Sequence, residues 1–139
     1  MLALTDTSAA FRHLAQDRLV VMIPFIDQTG AEWAIDMFEA TPASQRILIL
    51  RDKAALDQCG RRGVRLRDTT TEIHYLGGEQ WSQNETLHAK IVLADGSAAY
   101  VGSANVLRRS KAHNLECGLL VEGEVVISIT ILSSLVAEI

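Results

Sequence analysis

The sequence predicts an α/β domain built on a mixed or parallel β-sheet covered by helices. Two short, continuous apolar runs, Leu19–Ile23 and Ile47–Leu50, have the length and composition of buried strands. Helix-start signals follow each of them, at Thr29 and at Asp52. Strand, helix, strand, helix and strand in that order imply parallel neighbours joined by crossovers. No internal repeat, low-complexity tract or linker interrupts the 139 residues, so a single domain over 1–139 is expected.

The elements follow in order. Thr5–Gln16 reads as a short helix with Ala9, Ala10, Phe11 and Leu14 inside it. Pro24 stops the first strand. Thr29-Gly-Ala-Glu32 has the form of a capping box, with Trp33, Met37 and Phe38 at helical spacing behind it. Asp52 opens a helix that ends at Gly60. Val64–Arg67 alternates like a third strand, and Ile73–Leu76 reads as a fourth. A polar stretch from Gly77 to Thr86 contains a Gly-Gly pair and reads as a loop. Leu115–Val121 is a further apolar strand. The tail from Glu124 carries apolar residues at 125, 129, 132, 136 and 139, which favours a helix over the strand that its β-branched residues would suit.

Composition narrows the classes of function. With 48% apolar and 22% charged residues, the chain is an ordinary globular one. A net charge of −4 argues against coating nucleic acid through bulk positive charge, while leaving a local basic site open. The two cysteines, Cys59 and Cys117, lack metal-ligand spacing and read as reduced structural thiols. Met1–Thr7 has neither a charged n-region nor an apolar h-region, and the apolar tail is too short to span a bilayer. A cytoplasmic protein without stable membrane association is expected.

The chemistry concentrates between residues 88 and 105. His88-Ala-Lys90 is followed after four residues by Asp95, and after six more by Gly102-Ser103-Ala-Asn105. Such a match arises by chance in about one in a million chains of this length. Asp95-Gly96 is a two-residue turn signal between strand-like segments 87–94 and 98–102. A hairpin closed by those two residues would set Ala94 opposite Ser97, Val101 opposite Lys90 and Ser103 opposite His88. Cross-strand partners share a face, so His88, Lys90 and Ser103 would project together. Asp95, at the far end of that hairpin, is expected to shape the loop instead of touching substrate.

These residues resemble the defining motif of the phospholipase D superfamily, His-x-Lys, four residues, Asp, six residues, Gly-Ser-x-Asn, and every position matches. Asn114-Leu-Glu116 fits the Asn-x-Glu context usual downstream. Larger members carry two copies of the motif. Here His13, His74 and His113 are never followed two positions later by lysine, so this chain has one copy. The resemblance implies a mixed sheet flanked by helices on both faces, completed as a C2 homodimer of the single-motif endonuclease or phosphodiesterase subgroup.

The implied roles belong to that resemblance. His88 would attack phosphorus and form a phosphohistidine, while His88 of a second copy would protonate the leaving oxygen. Lys90 and Asn105 would hold the non-bridging oxygens, with Ser103 adding a hydroxyl, and Glu116 would fix the tautomer of His88. Asp95 and Gly102 complete the motif structurally. With two lysines supplying charge, neither metal nor cofactor is called for.

The residues outside the motif carry less. Arg108, Arg109 and Lys111 follow Asn105 directly, and Arg108 and Arg109 are candidates for contacting a substrate backbone. Arg61, Arg62, Arg65 and Arg67 read as a solvated edge. Trp81 reads as cover for the core before it reads as a base-stacking platform. The expected function is metal-independent cleavage of DNA or RNA, in a setting that could include partner proteins of a defence or restriction system. A phospholipase or phosphatidyltransferase is the alternative, and a non-catalytic dimerisation module the third.

Overall fold

The computed structural model describes residues 14–76, 90–102 and 118–123. Within them lie six strands: β1 (Arg18–Met22), β2 (Gln45–Leu50), β3 (Glu72–Tyr75), β4 (Ile91–Ala94), β5 (Ala98–Gly102) and β6 (Gly118–Glu122). Three helices accompany them: α1 (Gln28–Ala40), α2 (Lys53–Asp57) and α3 (Gly60–Thr69). The strands form one mixed sheet in the order β3-β2-β1-β4-β5-β6. β1, β2 and β3 are parallel, and β4, β5 and β6 join antiparallel from β1 outward.

Alternating side chains divide the central strands between two buried faces. One face takes Leu19, Val21, Leu48, Leu50, Val92, Ala94 and Tyr100, against which α1, α2 and α3 lay Trp33, Ala34, Phe38, Leu56 and Leu66. The other face holds Val20, Met22, Ile47, Ile49, Leu93 and Ala99. The near-continuous apolar reading of β1 and β2 is thus the signature of strands buried on both sides. Of the helices expected over Thr5–Gln16 and in the tail from Glu124, residues 5–13 and the whole tail lie outside the described residues. Leu14, Ala15 and Gln16 are not helical. Among the described residues no helix is long and apolar enough to cross a membrane.

Two local expectations are corrected. α1 is capped by Asp27, whose Oδ1 accepts from the Gly30 N–H at 2.8 Å, so Thr29 falls inside the first turn. Both residues are good caps, but the one at which the chain leaves extended geometry is Asp27. Asp52 caps α2 as anticipated, accepting from Ala55 N–H.

Val64–Arg67 is helical, not a strand. A four-residue alternation is also what a helix shows when few positions point inward. The buried series Leu56, Cys59, Gly63, Leu66 has helical spacing across the α2–α3 junction. Gly63 makes that junction possible, because a Cβ there would sit 2.3 Å from the Leu56 carbonyl oxygen. Cys59 is a free, buried thiol that donates to the Ala55 carbonyl. Burial pushes its pKa up, aided by the Asp27 charge, which keeps it unreactive. Cys117 lies outside the described residues.

The β4–β5 turn is stitched to the start of β1. Asp95 accepts three backbone N–H groups on its carboxylate: Gln16 on Oδ2 at 2.7 Å, and Asp17 and Arg18 on Oδ1 at 2.9 and 2.7 Å. Its own N–H donates to the Arg18 carbonyl at 3.0 Å. Asp95 adopts a left-handed φ of 53°, which Asp tolerates better than most residues. Burial raises its pKa, but the three N–H donors outweigh that and hold the carboxyl below the usual carboxylate range.

Two outcomes follow. A lowered folded pKa means that Asp95 stabilises the fold above about pH 4 and that this contribution fades as pH falls through the folded value. Asp95→Asn keeps shape and left-handed tolerance but should lack that acid-dependent component in melts from about pH 7 to about pH 3. Identical acid profiles for both proteins would contradict the clamp. Asp95→Ala should cost about 1–2 kcal/mol, low for charge-assisted bonds because the carboxylate is solvent-exposed. Gly118→Ala should cost about 1–3 kcal/mol by overpacking, since its Cβ would meet the buried Tyr100 ring; an unchanged melting temperature would refute that contact.

Candidate functional site

The strand directions bring one end of each strand to a common edge. β1, β2, β3 and β5 run the same way, so their carboxyl ends lie together, and β4 and β6 begin there. Met22 pairs with Ile91, which sets Lys90 beside Ile23 at the carboxyl end of β1. Gly102 donates its N–H to the Lys90 carbonyl at 3.2 Å and pairs on its other side with Gly118. Lys90, Gly102 and Gly118 therefore occupy one row across the sheet. Open α/β sheets bind ligands at this edge.

Lys90 is only 9% exposed, an unusual state for a lysine. An ammonium so withdrawn from water is costly unless it is compensated, and such groups concentrate where a protein uses charge. It is the one motif cation among the described residues. Its position comes from β4: the run Ile91–Ala94 is apolar and buried between β1 and β5, and Lys90 is the residue at which that run begins.

The hairpin register differs from expectation by one residue. The Asp95-Gly96 turn is present, with both residues at positive φ and Ser97 N–H donating to the Ala94 carbonyl at 2.9 Å. Ala94, however, pairs with Ala98, leaving Ser97 as an extra residue before the ladder starts. Its groups are used: Oγ donates to the Ala94 carbonyl, and its own carbonyl accepts from Gly123 N–H. Consequently Ile91 faces Val101, and Gly102, not Val101, stands opposite Lys90. A one-residue slip exchanges the faces of a strand. The count that set Ser103 on the face of His88 and Lys90 thus loses its basis.

Of the predicted site residues, Lys90, Asp95 and Gly102 are described. Lys90 and Gly102 meet at the carboxyl edge, whereas Asp95 sits at the opposite end of the hairpin, holding backbone. His88, Ser103, Asn105, Glu116, Arg108 and Arg109 lie outside the described residues.

The structure adds two residues that the sequence reading passed over. Phe25 follows the end of β1, and Arg51 follows the last residue of β2, so both stand on the edge that carries Lys90. The Arg51 guanidinium lies over the Phe25 ring, 5.4 Å from its centroid. Arg51 comes directly after the last residue of β2 and Phe25 three residues after that of β1, and the ends of buried parallel strands are the signal that could have found them. The other basic run is largely neutralised. Arg62 pairs with Glu32 at 2.9 Å, and Arg65 with Glu39 and Arg67 with Asp57 at 3.2 Å each.

Comparison with known proteins agrees with this architecture. The family described as "Cardiolipin synthase, PLD-like domain" matches residues 13–133. Nuc from Salmonella typhimurium, a phospholipase D family member of solved structure, superposes with a TM-score of 0.62. The match covers 92% of this chain and 81% of that one at 11% sequence identity, so it speaks for the fold alone. No curated protein matches the chain. With a family match across most of its length and a mixed sheet of the corresponding fold, the chain belongs to the phospholipase D superfamily.

Proposed function

We propose that the protein is a metal-independent phosphodiesterase, acting as a nuclease through a phosphohistidine on His88. One observation carries the reading: Lys90 is withdrawn from water at the carboxyl edge, directly opposite Gly102. Lys90 belongs to one half of the motif and Gly102 to the other. Chain connectivity supports the rest. Ser103 is covalently next to Gly102, and the His88 Cα can be at most about 7 Å from that of Lys90.

In this reading Nε2 of His88 attacks phosphorus, forming a phosphorus–nitrogen bond as the bond to the leaving oxygen breaks. His88 of a second copy gives its proton to that oxygen, then takes one from the water that cleaves the phosphohistidine. Two Lys90 ammoniums and two Asn105 amides hold the non-bridging oxygens as charge builds on them. Ser103 adds a hydroxyl donor. Glu116 accepts from Nδ1 of His88 and stabilises its charged form. A single motif supplies half of this set, so the site is completed across a homodimer axis.

Nucleic acid is favoured as the substrate because Arg108, Arg109 and Lys111 follow Asn105 and can pair with a phosphate backbone. The description of the matching family supports a second reading, phosphatidyl transfer on lipid.

Assays on single-stranded DNA, double-stranded DNA, RNA and phosphatidylglycerol vesicles in excess EDTA separate these readings. Nucleic-acid cleavage should survive chelation and fall at least about 10³-fold in His88→Ala. Strict dependence on added magnesium would overturn the mechanism, and turnover of lipid alone would favour phosphatidyl transfer. Absence of turnover on every substrate would point to a non-catalytic dimerisation module.

A further inference from the structure

We propose that Arg51, backed by Phe25, forms a second phosphate subsite beside the reacting centre and engages a neighbouring phosphate of a nucleic-acid strand. The inference deepens the phosphodiesterase reading and rests on it for the position of the scissile phosphate. Leu50 and Lys90 flank the end of β1, on β2 and immediately before β4 respectively. Two strand spacings separate them, so Arg51 stands roughly 10 Å from Lys90 along the carboxyl edge. A ligand held by its phosphate at Lys90 and extending across the ends of β1 and β2 would meet Arg51 next.

Arg51 is built for that contact. Its backbone N–H donates to the Pro24 carbonyl at 3.3 Å, tying the loop after β2 to the loop after β1. The Phe25 ring beneath the guanidinium gives it an orientation without consuming a hydrogen bond. Its ion pair with Asp52 is a loose one made through Nε, 3.7 Å from Asp52 Oδ2, and Asp52 spends Oδ1 on capping α2. Both Nη groups therefore lack a polar partner among the described residues, and the side chain is 38% exposed. Arg62, Arg65 and Arg67 contrast with it, each held by an acid at 3.2 Å or less. A planar fork with free donors matches a phosphate bidentately. A lone small phosphodiester would not reach it, whereas a strand with successive phosphates would.

The test compares a short single-stranded oligonucleotide with bis(p-nitrophenyl) phosphate, a diester lacking any second phosphate. In Arg51→Gln, KM for the oligonucleotide should rise about tenfold more than KM for the small diester, with kcat affected less than KM. The salt slope of oligonucleotide binding to the same variant should shrink by about one. Arg51→Lys should restore the salt slope but not the full affinity, and Phe25→Leu should weaken affinity with the slope intact. Equal losses on both substrates, or an unchanged KM and salt slope, would overturn the subsite. If the wild-type protein hydrolyses neither substrate yet its oligonucleotide binding depends on Arg51, the catalytic reading fails and the subsite stands. Cleavage without any dependence on Arg51 removes the subsite alone, and absence of oligonucleotide binding removes it as well.

Discussion

The antiparallel pairing of β4 against β1 is the constraint on which the rest of the arrangement depends. β1, β2 and β3 are ordinary parallel strands joined by helices, and they fix which edge is the carboxyl edge. Only because β4 runs the other way does its first end, and so Lys90, arrive at that edge. β5 then returns Gly102 to the same row. At the opposite end of the hairpin, the Asp95 carboxylate grips the backbone of residues 16–18. That grip fixes the register between hairpin and central strand. A slip by one residue there would exchange the faces of β4 and carry Lys90 to the wrong side of the sheet. The Asp95 carboxylate is thus occupied by backbone donors at the end of the hairpin away from Lys90.

Much of the fold was legible because the decisive signals were local. β1 and β2 announced themselves as apolar runs buried on both faces, and the Asp52 cap and the Asp95-Gly96 turn are direct consequences of side-chain chemistry. The misreadings share a cause: each depended on a partner that the local sequence does not reveal. Val64–Arg67 alternates, but the buried ladder that makes it helical begins upstream at Leu56 and needs the close approach at Gly63. The cap of α1 fell to Asp27 because the chain turns there, two residues before Thr29. Ser97 became an extra residue because its carbonyl serves Gly123, beyond a strand that lies some twenty residues later in the chain.

The candidate site was legible in a different way. Residue types at fixed offsets single out His88, Lys90, Ser103 and Asn105 as a chemical set, and of these only Lys90 lies among the described residues. The exposure of Lys90 and its pairing with Gly102 depend on the sheet, and no offset in the sequence states them. Phe25 and Arg51 were invisible for the same reason. They are distant from the motif in sequence and near it only because β1 and β2 end on the edge where β4 begins. The charge pattern gains partners in three dimensions. Four arginines on α3 read as a solvated edge in sequence, and three of them are answered by carboxylates on α1 and α2. The less conspicuous Arg51 has only a looser pair with Asp52, at 3.7 Å, among the described residues.

The proposed site, assembled from two copies of one motif, makes its own stoichiometric demand. Wild-type and His88→Ala chains can be co-refolded in graded proportions and assayed at a fixed total concentration. Any dimer holding one altered chain lacks either the attacking imidazole or the proton donor. Activity should then follow the square of the wild-type fraction, falling to about a quarter when half the chains are replaced. A straight line through one half at that point would mean that each chain works alone, and the shared-site account would be wrong.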